Sequence, residues 1–395
     1  MKQKKKRKKI PQLFKEFFES EKSGGLILMG CTIISLLFAN SALSSDYLHF
    51  WHNNFAGESI EYWINDGLMV IFFLLIGLEL EREVYQGELS NIKNALLPIF
   101  GALGGMLVPA ALYLFFNYGT VTQDGAGIPM ATDIAFALGI LSLLGNKVPT
   151  SLKVFLTALA VIDDLGAILV IAIFYTKTLL WSNLFIALGI FGLLLIFNRL
   201  KVKNLIPYLI GGVVMWYFML NSGVHATITG VLLAFAIPFG SGSKKSTSIV
   251  LQQFLHKPVA FIILPIFALA NTAIILSSDM GAVLTQHYSI GIALGLIVGK
   301  PLGIFALSFL AVKLGICKLP RELNWKSVFA VGFLGGIGFT MSIFVTLLAF
   351  EDVTIINNAK FVILLSSVIA GVIGFVSLKL TLKSKLKNIS LNDNF

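Results

Sequence analysis

The sequence predicts an all-α polytopic membrane protein, on three observations. Hydrophobic residues make up 56% of the 395-residue chain and charged residues only 13%, with a mean hydropathy of +0.87, too little polar surface to clothe soluble domains. Apolar runs of about 17 to 25 residues, the length of a membrane-crossing helix, recur along the chain. Lys and Arg concentrate in every second connection between those runs.

The runs lie at 24–43, 62–80, 95–117, 127–145, 151–174, 181–198, 205–220, 223–239, 258–275, 288–312, 327–349 and 360–380, which makes twelve transmembrane helices. Only LNSG separates the seventh from the eighth, so eleven is the alternative, but it puts the C-terminus opposite the strongly basic N-terminus. With twelve spans, the termini and even-numbered connections, taken with Lys153 and Lys379 at the span ends that adjoin them, carry 27 Lys and Arg, the odd-numbered connections carry Lys177 and Lys360, and Lys300 falls within a span. Positive charge stays on the cytoplasmic side, so the asymmetry predicts both termini inside. Residues 1–23, opening MKQKKKRKK, then form a basic cytoplasmic tail, 24–380 a single transmembrane domain, and 381–395 a second cytoplasmic tail whose LKNISLNDNF end has a disordered composition.

The formal charge of +10 is no sign of nucleic-acid binding, because nine of the 30 basic residues lie in the first 22 positions, a tail rather than a recognition surface. The first apolar run has no small-residue cleavage site and is followed by many more spans, unlike a signal peptide. Cys31 and Cys317, one in a span and one in a basic loop, indicate neither a disulfide nor a thiolate metal site. No nucleotide-binding loop occurs. The connection SSDYLHFWHNNFAGESIEY (44–62) is either an ordinary loop or, given its aromatic residues, a short hairpin or interfacial piece.

Three spans carry groups that hydrocarbon tolerates poorly. The fourth, IPMATDIAFALGILSLLG, contains Pro129, Thr132 and Asp133; the fifth, with TALAVIDDLGAILVIAIFY, contains Asp163 and Asp164; the tenth, IGIALGLIVGKPLGIFALSFL, contains Lys300 followed by Pro301. An ionised side chain at the bilayer centre costs roughly 3 kcal/mol or more, so such residues face a bundle interior and pair with a partner or an ion. The three carboxylates sum to minus three and Lys300 returns plus one, leaving about minus two to attract a cation or protons. Neighbouring helix residues point about 100° apart, so one aspartate can meet a transported ion while the other faces a protein partner. Lys300 is the only basic side chain deep enough to be that partner. A buried structural salt bridge is the plain alternative for Asp163 and Lys300, but it leaves the other acids unmatched.

The eleventh span, FAVGFLGGIGFTMSIFVTLLAF, places Gly335, Gly336 and Gly338 before Thr340 and Ser342. Such glycines either let intact helices pack closely or mark an unwound segment whose carbonyls turn toward a cavity. The interruption at ATDIAFA is its companion in the other half of the chain, and paired interruptions point to a transport site. Two broken helices meeting at mid-membrane bring positive ends together, and Asp133 is placed to compensate them.

Seven stretches, FFLLIGLELEREVYQGEL (72–89), ATDIAFALGILSLLG (131–145), TALAVIDDLGAI (157–168), GVHATITGVLLAFAIP (223–238), LPIFALANT (264–272), GKPLGI (299–304) and GIGFTMSIFV (336–345), together resemble the NhaA-type sodium/proton antiporter family of the bacterial inner membrane. The similarity runs through nearly the whole chain. It implies inverted-topology repeats at about 95–174 and 288–380, with spans four and eleven discontinuous and crossing near the ion site. By resemblance Asp164 is the cation ligand and proton carrier, Asp163 the second essential acid, and Lys300 its salt-bridge partner. Asp133 and Thr132 are the polar group at the crossing, and Gly336, Gly338 and Thr340 lie in the broken segment. The implied activity is electrogenic export of one Na+ or Li+, the transported metal at Asp163 and Asp164, for two H+ by alternating access, in pH and sodium homeostasis. No cofactor, nucleotide or catalytic residue is implied. Competition for the same acids couples the fluxes; whether Asp163 or Lys300 carries the second proton is open.

By the same resemblance Glu79, Arg82, Glu83 and His256 belong to a pH-response region, in which Gln252 and Gln253 stand where the family has an acid and another histidine. Sensitivity to pH is then weaker or shifted. His225 resembles a family histidine linked to pH behaviour, with a helix-end hydrogen bond as the structural alternative. Family members form homodimers through a hairpin after span one, a role open to 44–62. A gated cation channel would use the same acids but pass current without proton counterflow. An intramembrane protease needs acids presented by opposing helices, which adjacent Asp163 and Asp164 are not.

Overall fold

The computed structural model describes residues 12–176, 179–240, 242, 246–276 and 280–392. Lys177 and the opening MKQKKKRKK run therefore lie outside the described residues, as do 393–395. Helix α1 (Gln12–Ala39) begins within the segment read as a tail, and after a 115° bend α2 (Ser44–His52) follows. Strands β1 (Asn54–Phe55) and β2 (Glu58–Ser59) then pair antiparallel around Ala56 and Gly57, at φ +53° and +100°. Positive φ at both turn positions matches the right-handed twist of a tight hairpin. The 44–62 connection is thus a helix and a hairpin.

The chain continues as α3 (Ile60–Tyr85), α4 (Ile92–Asn117), a 3₁₀ segment (Gln123–Met130), α5 (Ile134–Leu143), α6 (Thr150–Phe174), α7 (Trp181–Arg199) and α8 (Ile206–Leu220). After these come α9 (Ile228–Ala236), α10 (Thr247–Asn271), α11 (His287–Lys313), α12 (Trp325–Gly335), α13 (Phe339–Ala349) and α14 (Val353–Asn392). Among the described residues eight helical runs are long and apolar enough to cross a membrane, or up to ten if each bent pair is one span.

The count of twelve meets its difficulty at the seventh and eighth runs. With 15 and nine residues, α8 and α9 are only about 22 and 14 Å long at 1.5 Å per residue. Predicted span 223–239 shrinks to α9 because Gly223, at φ +87°, and the turns that follow unwind its start, while Pro238 cannot prolong the helix. Conversely α14 is longer than 360–380. Nothing in LKSKLKNIS is a helix breaker, so the described part of the C-terminal tail is helical to Asn392 rather than disordered. Lys360 accordingly sits inside a helix and not in a connection.

Two features position the interior. Where α4 crosses α11, Gly104 and Gly303 face each other, and a Cβ on either would strike the other's carbonyl oxygen. The helices touch backbone to backbone, as small residues allow. In α11 the turn Gly295–Gly299 is a π-turn immediately before Lys300 and Pro301. The proline ring removes one helical donor and crowds the carbonyl four residues back, and the widened turn relieves both.

Candidate functional site

Two chain interruptions meet in the centre of the bundle. Between the 3₁₀ segment and α5, residues 131–133 are extended, and α12 and α13 are separated by 336–338 with a 49° bend. Phe339 opens α13 at φ +22°, a conformation that L-residues avoid. Backbone groups freed by the interruptions find partners across the crossing. Asp133 N donates to Ile337 O (2.7 Å), Thr132 Oγ1 to Gly335 O (2.8 Å) and Ser342 Oγ to Ile128 O (2.7 Å). Gly336 is required for closeness, since a Cβ there would meet the Leu296 carbonyl of α11.

Asp133 faces both new helix starts. Its Oδ1 accepts from Phe136 N (2.9 Å), capping α5, while Oδ2 accepts from Thr340 N (3.2 Å) and Thr340 Oγ1 (2.5 Å) at the first turn of α13. One carboxylate thus satisfies orphan donors of two half-helices and lies at the positive end of each dipole. The side chain is 2% exposed.

The adjacent acids of α6 have different surroundings. Asp163 Oδ2 accepts from Lys300 Nζ and from Thr132 Oγ1 (2.5 Å), and Lys300 Nζ also donates to Thr132 Oγ1 (2.6 Å). A threonine has a single hydroxyl proton, so Thr132 serves either Asp163 or the Gly335 carbonyl at any instant. Asp164 instead lines a cavity of about 40 Å³ with Thr132, Asp133, Thr340, Glu79 and His256, room for a few waters. Oδ1 of each aspartate is buried without a hydrogen-bond partner in the protein. Buried oxygens are seldom left so, and these are free to receive a proton or a cation.

Of the residues read as a pH-response region, Glu79 and His256 reach the cavity, 3.9 Å apart, and Gln252 hydrogen-bonds to Glu79. Arg82 instead bonds Glu83 (3.0 Å), whose other oxygen accepts from Glu88 N (3.1 Å), and Gln253 is exposed. His225 is not brought to the cavity: its Nε2 lies 2.9 Å from Tyr175 O, past the end of α6. One buried acid escaped the sequence reading. Glu81 accepts from Ser248 Oγ of α10 (2.6 Å) and is 4% exposed; its sequence signal was a third acid in LELEREV, hidden by proximity to a helix end.

With this geometry in view, a sequence profile of the family described as Na+/H+ antiporter 1 matches residues 15–378. The Na+/H+ antiporter NhaA of Flavobacterium psychrophilum is 78% identical over 378 residues, 96% of this chain and 98% of that protein. The chain belongs to the NhaA family of Na+/H+ antiporters. Its NhaA relatives include the NhaA 1 antiporter of Flavobacterium johnsoniae, 65% identical over 371 residues (94% and 97% of the two chains), and the NhaA of Cytophaga hutchinsonii, 64% identical over 380 residues (96% and 98%). Membership of the NhaA family agrees with a multi-span helical protein whose polar groups gather inside.

Proposed function

We propose that the protein exports one Na+ or Li+ for two H+ by alternating access, with Asp164 as the carboxylate for which cation and proton compete. The observation that carries this reading is the separation of two adjacent acids, Asp164 into the cavity and Asp163 onto Lys300. The charge balance supports it. Asp133 is matched by two helix ends, so Asp163, Asp164 and Lys300 are left at about minus one when all are ionised. One cation then neutralises the group, and Asp164 offers the place for one proton. The other travels on the coupled Asp163–Lys300 pair. Two protons moving against one monovalent cation make the cycle electrogenic.

In the cation-loaded state Na+ trades part of its water shell for the free oxygens of Asp164 and Asp163 and for neighbouring hydroxyl or carbonyl oxygens. Protonation removes the carboxylate charge and the cation leaves. The segments 95–174 and 288–380 form inverted repeats in this reading, supported by the reciprocal Gly104–Gly303 contact and by the meeting of the two interruptions. Glu79 and His256 form the approach from the cytoplasmic side, where both termini lie, and contribute to pH response. In the bacterial inner membrane the 54–59 hairpin, with Phe55 exposed, mediates a homodimer.

Everted membrane vesicles with an acidified lumen test the exchange. Adding Na+ or Li+ should dissipate the pH gradient in wild type and not in Asp164→Asn. Equal traces from two folded, inserted proteins would overturn the assignment of Asp164.

A further inference from the structure

Helices α3 and α10 lie antiparallel and are joined toward both ends. At one end Glu79 meets Gln252 and His256 beside the cavity that holds Asp164; at the other, Asn271 Nδ2 donates to Asn65 Oδ1 (2.8 Å). That second end has a cavity of its own, about 290 Å³, lined by Trp51, His52, Glu61, Leu347 and Lys360 among others. It has room for several waters. Three buried aromatic rings stand between residues that line the two cavities. Phe267 stands on α10 between Leu264, which lines the first cavity, and Ala270, which lines the second; Phe344 stands likewise on α13 between Met341 and Leu347. Phe73 of α3 completes the group, its ring 5.3 Å from that of Phe344, with Phe267 at 6.5 Å.

Lys360 spans this end of the molecule. It lies two turns into α14, its side chain 6% exposed, with Nζ 3.7 Å from Glu61 Oε1 on α3 and donating to Asn271 Oδ1 on α10 (3.3 Å). The other oxygen of Glu61 is 3.8 Å from His52 Nε2 on α2. A single ammonium therefore ties α14, which packs along the interrupted pair α12 and α13, to two helices that carry neither interruption. Separating them strands a buried ammonium unless water fills the cavity, so release of the tie and hydration of the cavity go together.

We propose that Lys360 is the gate residue at the end of the transport path opposite Glu79 and His256. Bound to Glu61 and Asn271 it closes the inner end of the second cavity, whose outer rim carries the exposed His52, Ile275 and Val353; released, it lets a hydrated monovalent cation pass inward from that mouth. The proposal rests on the alternating-access reading above. Lys360 is a positioning residue, since it touches none of the exchanging carboxylates.

The test places a single cysteine at Leu347, which lines the second cavity, in a background with Cys31→Ala and Cys317→Ala, and follows its reaction with a charged, membrane-impermeant maleimide. Glu61→Gln, which keeps the side-chain shape, and Lys360→Met should each raise the labelling rate about tenfold by populating the open state. Combining Glu61→Lys with Lys360→Glu should return it toward the starting value. The same loosened variants should show a severalfold higher KM for Na+ on the Glu79–His256 side with kcat retained, because fewer molecules keep that cavity open. Unchanged labelling in folded Glu61→Gln protein, or failure of the reversed pair to restore slow labelling, overturns the gate. Labelling needs no exchange activity, so the gate can fail while exchange dependent on Asp164 stands, and the reverse.

Discussion

Where α4 crosses α11, intact helices meet through Gly104 and Gly303; where the two interruptions cross, the chain meets itself through Asp133, Thr132, Thr340 and Ser342. The first contact is apolar because continuous helices satisfy nearly all of their own backbone groups and need only room. The second is polar because each interruption frees donors and acceptors that hydrocarbon cannot satisfy. The difference shows why charge collects at one crossing and not the other. Side chains that repair broken helices are also groups that can neighbour a proton or a small cation, so interrupting a helix and building an ion site are one structural act.

Substitutions can break this contrast. Gly104→Val should be the most damaging, destabilising by roughly 3 kcal/mol or more, because the opposing Gly303 carbonyl is backbone and cannot rotate aside. Gly303→Val should cost a similar amount, and the double variant less than the sum, since both disturb one contact. Asp133→Ala leaves the Phe136 and Thr340 amides and the Thr340 hydroxyl without their acceptor, for a loss of about 2 kcal/mol. Thr340→Val, which removes only the hydroxyl bond while the amide bond remains, should cost about 1 kcal/mol, and Ser342→Ala about as little. Unfolding midpoints of the detergent-purified variants check the order. A polar crossing less sensitive to Asp133→Ala than to Thr340→Val would contradict the helix-end account.

Asp163, Asp164 and Lys300 were legible in the sequence because charge inside a long apolar run has few bland explanations. Asp133 was legible through its neighbour Thr132 and its counterpart interruption at 336–338. The length of α9 was not: hydropathy scores Val224 and Ala226 as span residues although Gly223 and the following turns keep them out of helix. Nor was the cluster of Glu61, Asn271 and Lys360. Each stands near the end of a hydrophobic run, where a polar residue is ordinary, and only the antiparallel packing of α3 and α10 beside α14 brings them together. The same blindness hid the bond between Glu81 and Ser248.

Sodium binding by purified protein, measured by calorimetry in buffers of differing ionisation enthalpy, tests the central claim most directly because it counts protons released per ion bound. The account predicts release of about two protons per Na+ in wild type and no measurable sodium binding in Asp164→Asn. Sodium binding without proton release, or undiminished binding by folded Asp164→Asn protein, would contradict competition at Asp164.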